Sequence, residues 1–201
     1  MPTDTRRRLL DAAMTELVLT GDLQITSVAR RAGVSAGSPY RHYAGRSELL
    51  VAVLDDFFDR LSSAAATRHY GHGTFVERER QRLADWVQAL YQDPLSRLVL
   101  TGLVGDGAVN AALAAHLDRM IGFGTANIAR AQERGEVPGD RDAELTAAVA
   151  LGGVQTAVTV ALRRNPRPPA GELVDQLWLH VEGLLGLSAR TPAPTCSDED
   201  E

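Results

Sequence analysis

Apolar residues recur at three- and four-residue spacing along nearly the whole chain, the period of amphipathic helices. Leu10, Ala13, Met14, Leu17 and Val18 form the first stripe and predict a helix over about residues 4–20, which Gly21 ends. Ile25, Val28, Ala29 and Ala32 predict a short second helix, with Gly33 just past its end, where positive φ suits glycine. Ser35 is placed to cap a third helix over about 36–43, with Pro39 near its opening turn, and Ser47 to cap a fourth. That fourth helix carries Leu49, Leu50, Val53, Leu54, Phe57, Phe58 and Leu61 on one side and is expected to reach about residue 68.

"HYGHG" at 69–73 breaks the periodicity and is a candidate junction. Beyond it, Leu83, Trp86, Val87, Leu90 and Tyr91 predict a fifth helix ending before Pro94, and a sixth covers about 94–104. A long seventh spans about 109–134, an eighth 143–163 and, after the helix-breaking "NPRPPAG", a ninth about 172–187. No segment alternates as a strand would, and no internal repeat is present. The expected fold is therefore all-α, with about nine helices.

The eighth helix changes the picture, because residues 145–162 carry no charge. A membrane span needs roughly 18 or more apolar residues. Here Thr146, Gln155, Thr156, Thr159 and the pair Gly152 and Gly153 make the run too polar and too rich in small residues, so a buried interface helix is expected. Val149, Gly152, Gly153 and Thr156 would meet Leu177, Val181 and Leu184 of the ninth helix across a homodimer. A fully internal core helix is the alternative.

Charge is unevenly spread. The net charge is -5, yet residues 1–50 hold seven arginines against five acids, so an acidic body carries a mildly basic head. Every basic residue is arginine, which excludes a P-loop lysine, a Schiff-base lysine and a kinase lysine. The Gly-x-Ser-x-Gly match at Gly33 to Gly37 follows a predicted short helix and not a strand, so it is no nucleophile elbow, and "GLVGDG" lacks dinucleotide-binding spacing. His69 and His72 have metal-compatible spacing but sit in a glycine loop without cysteine support. The single cysteine, Cys196, lies in the tail "TPAPTCSDEDE" and cannot form an internal disulfide, which favours the cytoplasm. Asp11 and Glu16 interrupt the apolar run after "RRR", so it does not read as a signal peptide. The expectation is no enzyme activity, no cofactor, no metal and no membrane.

Two short helices joined by a tight glycine turn, the second opening on small residues and closing in "YRHY", have the organisation of a helix-turn-helix. Small residues let such a helix approach the major groove, and Arg41 has the paired donors that suit guanine O6 and N7 or a phosphate. The stretch "ITSVARRAGVSAGSPYRHYAGRSELL" resembles the helix-turn-helix of the TetR-type bacterial regulators, with "YAGRSELL" in the place of their linker to the fourth helix. The similarity is specific over about residues 6–50, and the rest agrees in architecture and in "RGEVPGDRDAEL" before the eighth helix.

The resemblance implies a helix-turn-helix head at 1–48 and a ligand-binding and dimerisation body at 49–189, while the prolines and the acidic run "DEDE" predict a disordered tail at 190–201. It makes Ala36, Gly37, Ser38 and Arg41 base-facing, Tyr40, His42 and Arg46 phosphate contacts, and Tyr43 mainly a packing residue. Ser35 offers a further donor near the strand. Gln24 stands where the family often has a capping Thr or Ser, leaving Thr26 or Ser27 to take its place; Ala36 replaces a common base-reading lysine.

The implied effector site lies among helices five to eight. Trp86, Leu90, Leu103, Met120 and Phe123 are candidate walls, and Asn127, Gln155 and Thr159 candidate polar contacts. None of these is charged, so a neutral or weakly polar effector is expected. The function implied is a dimeric repressor released from a palindromic operator by a small molecule; the competing reading is a helical protein-interaction module without DNA binding.

Overall fold

The computed structural model describes residues 2–71, 73–102 and 106–187, all-helical and without a strand among them. Eight α-helices follow one another: α1 Pro2–Thr20, α2 Ile25–Arg31, α3 Arg46–Leu61, α4 Phe75–Gln92, α5 Ser96–Gly102, α6 Gly107–Glu133, α7 Ala143–Arg163 and α8 Ala170–Leu185. The ninth helical element is the expected third helix, and it is only a 3-10 turn, Pro39–Arg41. The tail from 190 and His72 fall outside the described residues.

The backbone explains that shortening. Pro39 has no N–H to give to Ser35, whose carbonyl instead accepts from Ser38 N at 2.9 Å, and the chain continues as overlapping three-residue turns. Ser38, not Ser35, stands at the N-cap, and neither hydroxyl caps. Ser47 does not cap α3 either; Gly45 holds that position, and the Glu48 carboxylate accepts from Ala44 N. Gln24 precedes α2 without a side-chain cap, as its amide suggests.

The opposite end of α2 is held by a group the periodicity does not reveal. Arg8 donates to the carbonyls of Ala32 and Gly33 at 2.6 and 3.1 Å, a cation placed where helix carbonyls are left over. Gly33 takes φ +65 just after. Glu16, buried on α1, accepts from Arg31 at 2.8 Å and so ties α1 to α2.

Past Leu61, α3 loosens into a single π-helical turn, Ser62–Ala66, in which Thr67 N reaches Ser62 O. Longer helices downstream start on strong signals: Thr74 and Glu77 form a capping box on α4, while Asp106 and Asp142 cap α6 and α7. One apolar core runs from Leu9 and Val28 through α3 to Val87, Val158 and Leu177. The 48/49 boundary therefore falls within the first turn of α3, a helix that packs against both α1 and α6. A second cluster, with Phe75, Ile128, Ala147 and Leu185, closes the far end of the body.

By length and mean hydropathy of 1.7, α7 could cross a membrane, yet it packs against α5, α6 and α8. At Gly124 it meets α6 so closely that a Cβ there would sit 2.9 Å from that of Ala147.

Candidate DNA interface and effector cavity

Most of the residues singled out around the turn lie at the surface. Thr26, Ser35, Ala36, Gly37 and Arg41 are exposed, Tyr40 is 60 % exposed, and His42 is half-buried. Ser38 is a correction: it is only 4 % exposed, turned inward beside the buried Pro39, and is not available to a base. The resemblance assigned Ser38 by position along a helix, whereas here the segment is a 3-10 turn and Ser38 is buried at its N-cap. Tyr43 packs as expected, buried under Arg6, whose guanidinium carbon lies 5.4 Å from the ring centroid.

Arg46 is also engaged. It donates to Leu23 O at 3.1 Å and to Asp22 at 2.9 Å, and its hydrogen bond holds the Asp22 carboxyl below the usual carboxylate range. The linker arginine thus clamps the turn between α1 and α2 onto α3. An arginine can still offer a further face to a phosphate, but its position is set by this clamp.

Two mainly apolar cavities of the body take in candidate effector residues. The first, about 170 Å³, lies between α4, α6, α7 and α8, and Trp86, Met120, Phe123 and Asn127 line it as anticipated. A second, about 290 Å³, shares Trp86, Met120 and Leu151 with it and adds Gln155 and His116. Leu90 belongs to neither; it is fully buried core. Thr159 bonds its own helix at Gln155 O and lines neither, and Leu103 lies outside the described residues. The indole N–H of Trp86, in the wall common to both cavities, has no hydrogen-bond partner.

The expectation of an uncharged lining is overturned. Glu79 and Arg82 line the first cavity, 3.2 Å apart, and Asn127 Nδ2 donates to Glu79 at 3.2 Å. Burial pushes the Glu79 carboxyl up, with Arg82 opposing. Residues 79, 82, 83, 86 and 90 share one side of α4, so carrying the apolar stripe back one turn was the signal that could have found them.

Outside the core, α7 shows a row of unpartnered apolar positions. Leu145 is 66 % and Val149 60 % exposed, with Val160 nearly half exposed, and Gly152, Gly153 and Thr156 lie on the same side. On α8 the exposed apolar residue is Leu179, at 68 %. Leu177 is buried in the subunit's own core, a second correction, while Val181 and Leu184 are half-buried and Val181 lines the first cavity. Leu179 thus lies on the other side of α8 from the buried Leu177.

Several side-chain contacts link the body to the head, among them Arg7 with Asp56 at 3.0 Å, Arg60 with Met14 Sδ, and one between α6 and the first turn of α3. Asp106, which caps α6 by accepting from Ala108 and Val109, also accepts from the Ser47 hydroxyl in the first turn of α3. That hydroxyl is the largest influence holding the Asp106 carboxyl low.

No family model matches the chain. It is 29 % identical over 191 residues to the HTH-type transcriptional repressor KstR of Rhodococcus jostii (strain RHA1), covering 94 % of this chain and 86 % of that one. Among solved structures it is similar to a TetR-family transcriptional regulator from Syntrophomonas wolfei, with a TM-score of 0.77 and 15 % identity over 92 % of this chain and 97 % of that one. It is also similar to AibR, solved in complex with isovaleryl coenzyme A and operator DNA, with a TM-score of 0.67 and 16 % identity over 90 % and 98 % of the two chains.

Proposed function

We infer, for a chain that belongs to the TetR-type helix-turn-helix regulators, that it is a dimeric, sequence-specific DNA-binding repressor whose operator binding is relieved by a small molecule held in the body. The observation that carries the reading is the exposed stretch around Ala36, Gly37, Tyr40 and Arg41, presented on a rigid head by the Arg8 and Arg46 clamps. Small residues allow close approach to the groove, Arg41 supplies base or phosphate recognition, and Tyr40, His42 and Thr26 supply phosphate contacts. The head corresponds to 1–48 and the sensing and dimerising body to 49–189.

Two subunits pair through the α7 surface around Val149, Gly152 and Gly153 together with the Leu179 side of α8, giving a four-helix interface. Twofold symmetry then matches an inverted-repeat operator. The effector acts by population shift. Its cavities are walled by Met120, Phe123 and Asn127 of α6, and the start of α6 is joined to α3 through Asp106 and Ser47. An effector that favours another position of α6 alters the separation of the heads, and by linkage the operator weakens the effector to the same degree. A cytoplasmic protein without enzymatic activity fits this role.

Filter retention of duplex fragments from the source genome, in a large excess of unrelated competitor DNA, tests the reading. Wild type is expected to retain a defined subset and the Tyr40→Ala, Arg41→Ala variant none above background. Equal retention by the two proteins overturns it and favours the interaction-module reading.

A further inference from the structure

The first cavity ends against charge. A third hollow, about 340 Å³ and mainly polar, lies back to back with it, and the two share Ala66, Phe75, Glu79, Arg82 and Asn127. Five arginines line the polar hollow, Arg68, Arg78, Arg82, Arg130 and Arg134, against two carboxylates, Glu79 and Glu136. Three of the five are committed. Arg68 pairs with Asp85 at 2.8 Å, Arg78 with Glu136 at 3.3 Å, and Arg82 with Glu79 while also donating to the carbonyls of Ala65 and Ala66. Arg130 and Arg134 have no carboxylate at ion-pair distance among the described residues; Arg130 donates instead to Asn127 Oδ1 at 2.6 Å.

We propose that the effector is an amphipathic anion: its apolar part fills the cavity beside Trp86 and Phe123, and its anionic head reaches the polar hollow to meet Arg130 and Arg134 across the Glu79–Arg82–Asn127 partition. The geometry supplies both halves of such a ligand. An apolar space of about 150 Å³ holds a benzene-sized group, so the first cavity takes the end of a short chain or a ring, and the 290 Å³ space adjoins it at Trp86, Met120 and Leu151. A basic hollow of this kind is the arrangement that binds carboxylate or phosphate through paired guanidinium donors. Asn127 couples the two sides, accepting from Arg130 and donating to Glu79. A ligand head that draws Arg130 away frees the Asn127 carbonyl and loosens the partition. Tyr70 braces the outer wall, its hydroxyl donating to Asp85 at 3.0 Å and its ring 4.5 Å from the Arg82 guanidinium carbon.

This inference rests on the regulator reading, and its test separates the two. Binding of four ten-carbon probes to the full chain is followed by calorimetry: decanoate, decanoyl-coenzyme A, 1-decanol and decyltrimethylammonium. In parallel, retention of genomic DNA is scored for each protein. The expected result is that at least one anionic probe binds about tenfold or more tighter than decanol, the scale of one charge-assisted hydrogen bond. Arg130→Gln, Arg134→Gln is expected to remove that preference while leaving decanol binding and DNA retention unchanged. Tight decanoate points to a carboxylate head, and tight decanoyl-coenzyme A with weak decanoate to a phosphate-bearing one. Decanol or the cation binding as tightly as the anions, a preference that survives the double variant, or no probe binding to a protein that retains DNA overturns the inference alone. Loss of selective DNA retention by wild type overturns the regulator reading.

Discussion

His116 lies flat against Phe58, ring centroids 3.5 Å apart and planes 11° off parallel, in the wall of the larger apolar cavity. Burial lowers its pKa to about 4, with Arg119 adding to the effect and Asp59 opposing it. The folded state therefore keeps this imidazole neutral where the unfolded chain, titrating near 6.5, takes up a proton. Its contribution is whole above pH 6.5 and is lost as pH falls toward 4. His116→Phe keeps the stacking and removes the proton site, so thermal denaturation between pH 7 and pH 4.5 is expected to show a smaller fall in Tm for the variant than for wild type. Equal slopes would show that this histidine is not desolvated. At this scale Trp86, on the regular helix α4, lies where its apolar spacing put it, and Tyr43 is buried as the resemblance implied. The burial of Ser38 and the clamp made by Arg46 were not legible, because a positional likeness does not show that Pro39 tightens the segment into a 3-10 turn, and hydrogen-bond partners distant in sequence leave no periodic mark.

Among the elements, α6 does two jobs, walling the cavities along its middle and touching the head at its start. Asp106 is the residue where they meet. Serine caps a helix about as well as aspartate, whereas alanine does not. Asp106→Ser is expected to hold Tm near wild type and Asp106→Ala to lower it by about 2–4 °C, the shift typical of a lost cap in a chain of this size. Equal shifts in the two variants, read by calorimetric scanning, would contradict the capping role. The end of α4 and the boundaries of α6 and α7 were legible because prolines and glycines punctuate them, whereas the start of α4 at its Thr74 cap was not read. The expected third helix dwindled to a 3-10 turn because Pro39 removes a donor from a segment already short. Glu79 and Arg82 escaped because charged residues on an apolar face look like solvated ones until the neighbouring helices are in place.

For the whole molecule, α7 is the element whose sequence spoke most clearly and whose structure leaves most unfinished. Its uncharged run is only partly covered within one subunit, and the exposed Leu145 and Val149 mark what a second subunit would cover. Val149→Glu with Leu179→Glu is expected to turn a sedimenting dimer into a helical monomer, since an unpaired charge cannot be buried at an apolar interface without a large penalty. A double variant that remains dimeric would place the interface elsewhere. In the proposed dimer, pairing through this surface would set the two heads where half-sites of one operator recur, about 34–36 Å apart or a multiple of it. Selection of bound sequences from random duplex DNA, at low and moderate salt and with Arg41→Ala alongside, tests that arrangement most directly. The account predicts enrichment of an inverted repeat by wild type and loss of the enrichment in the variant. Recovery of no motif at either salt, or of a single asymmetric site equally enriched by both proteins, would contradict it.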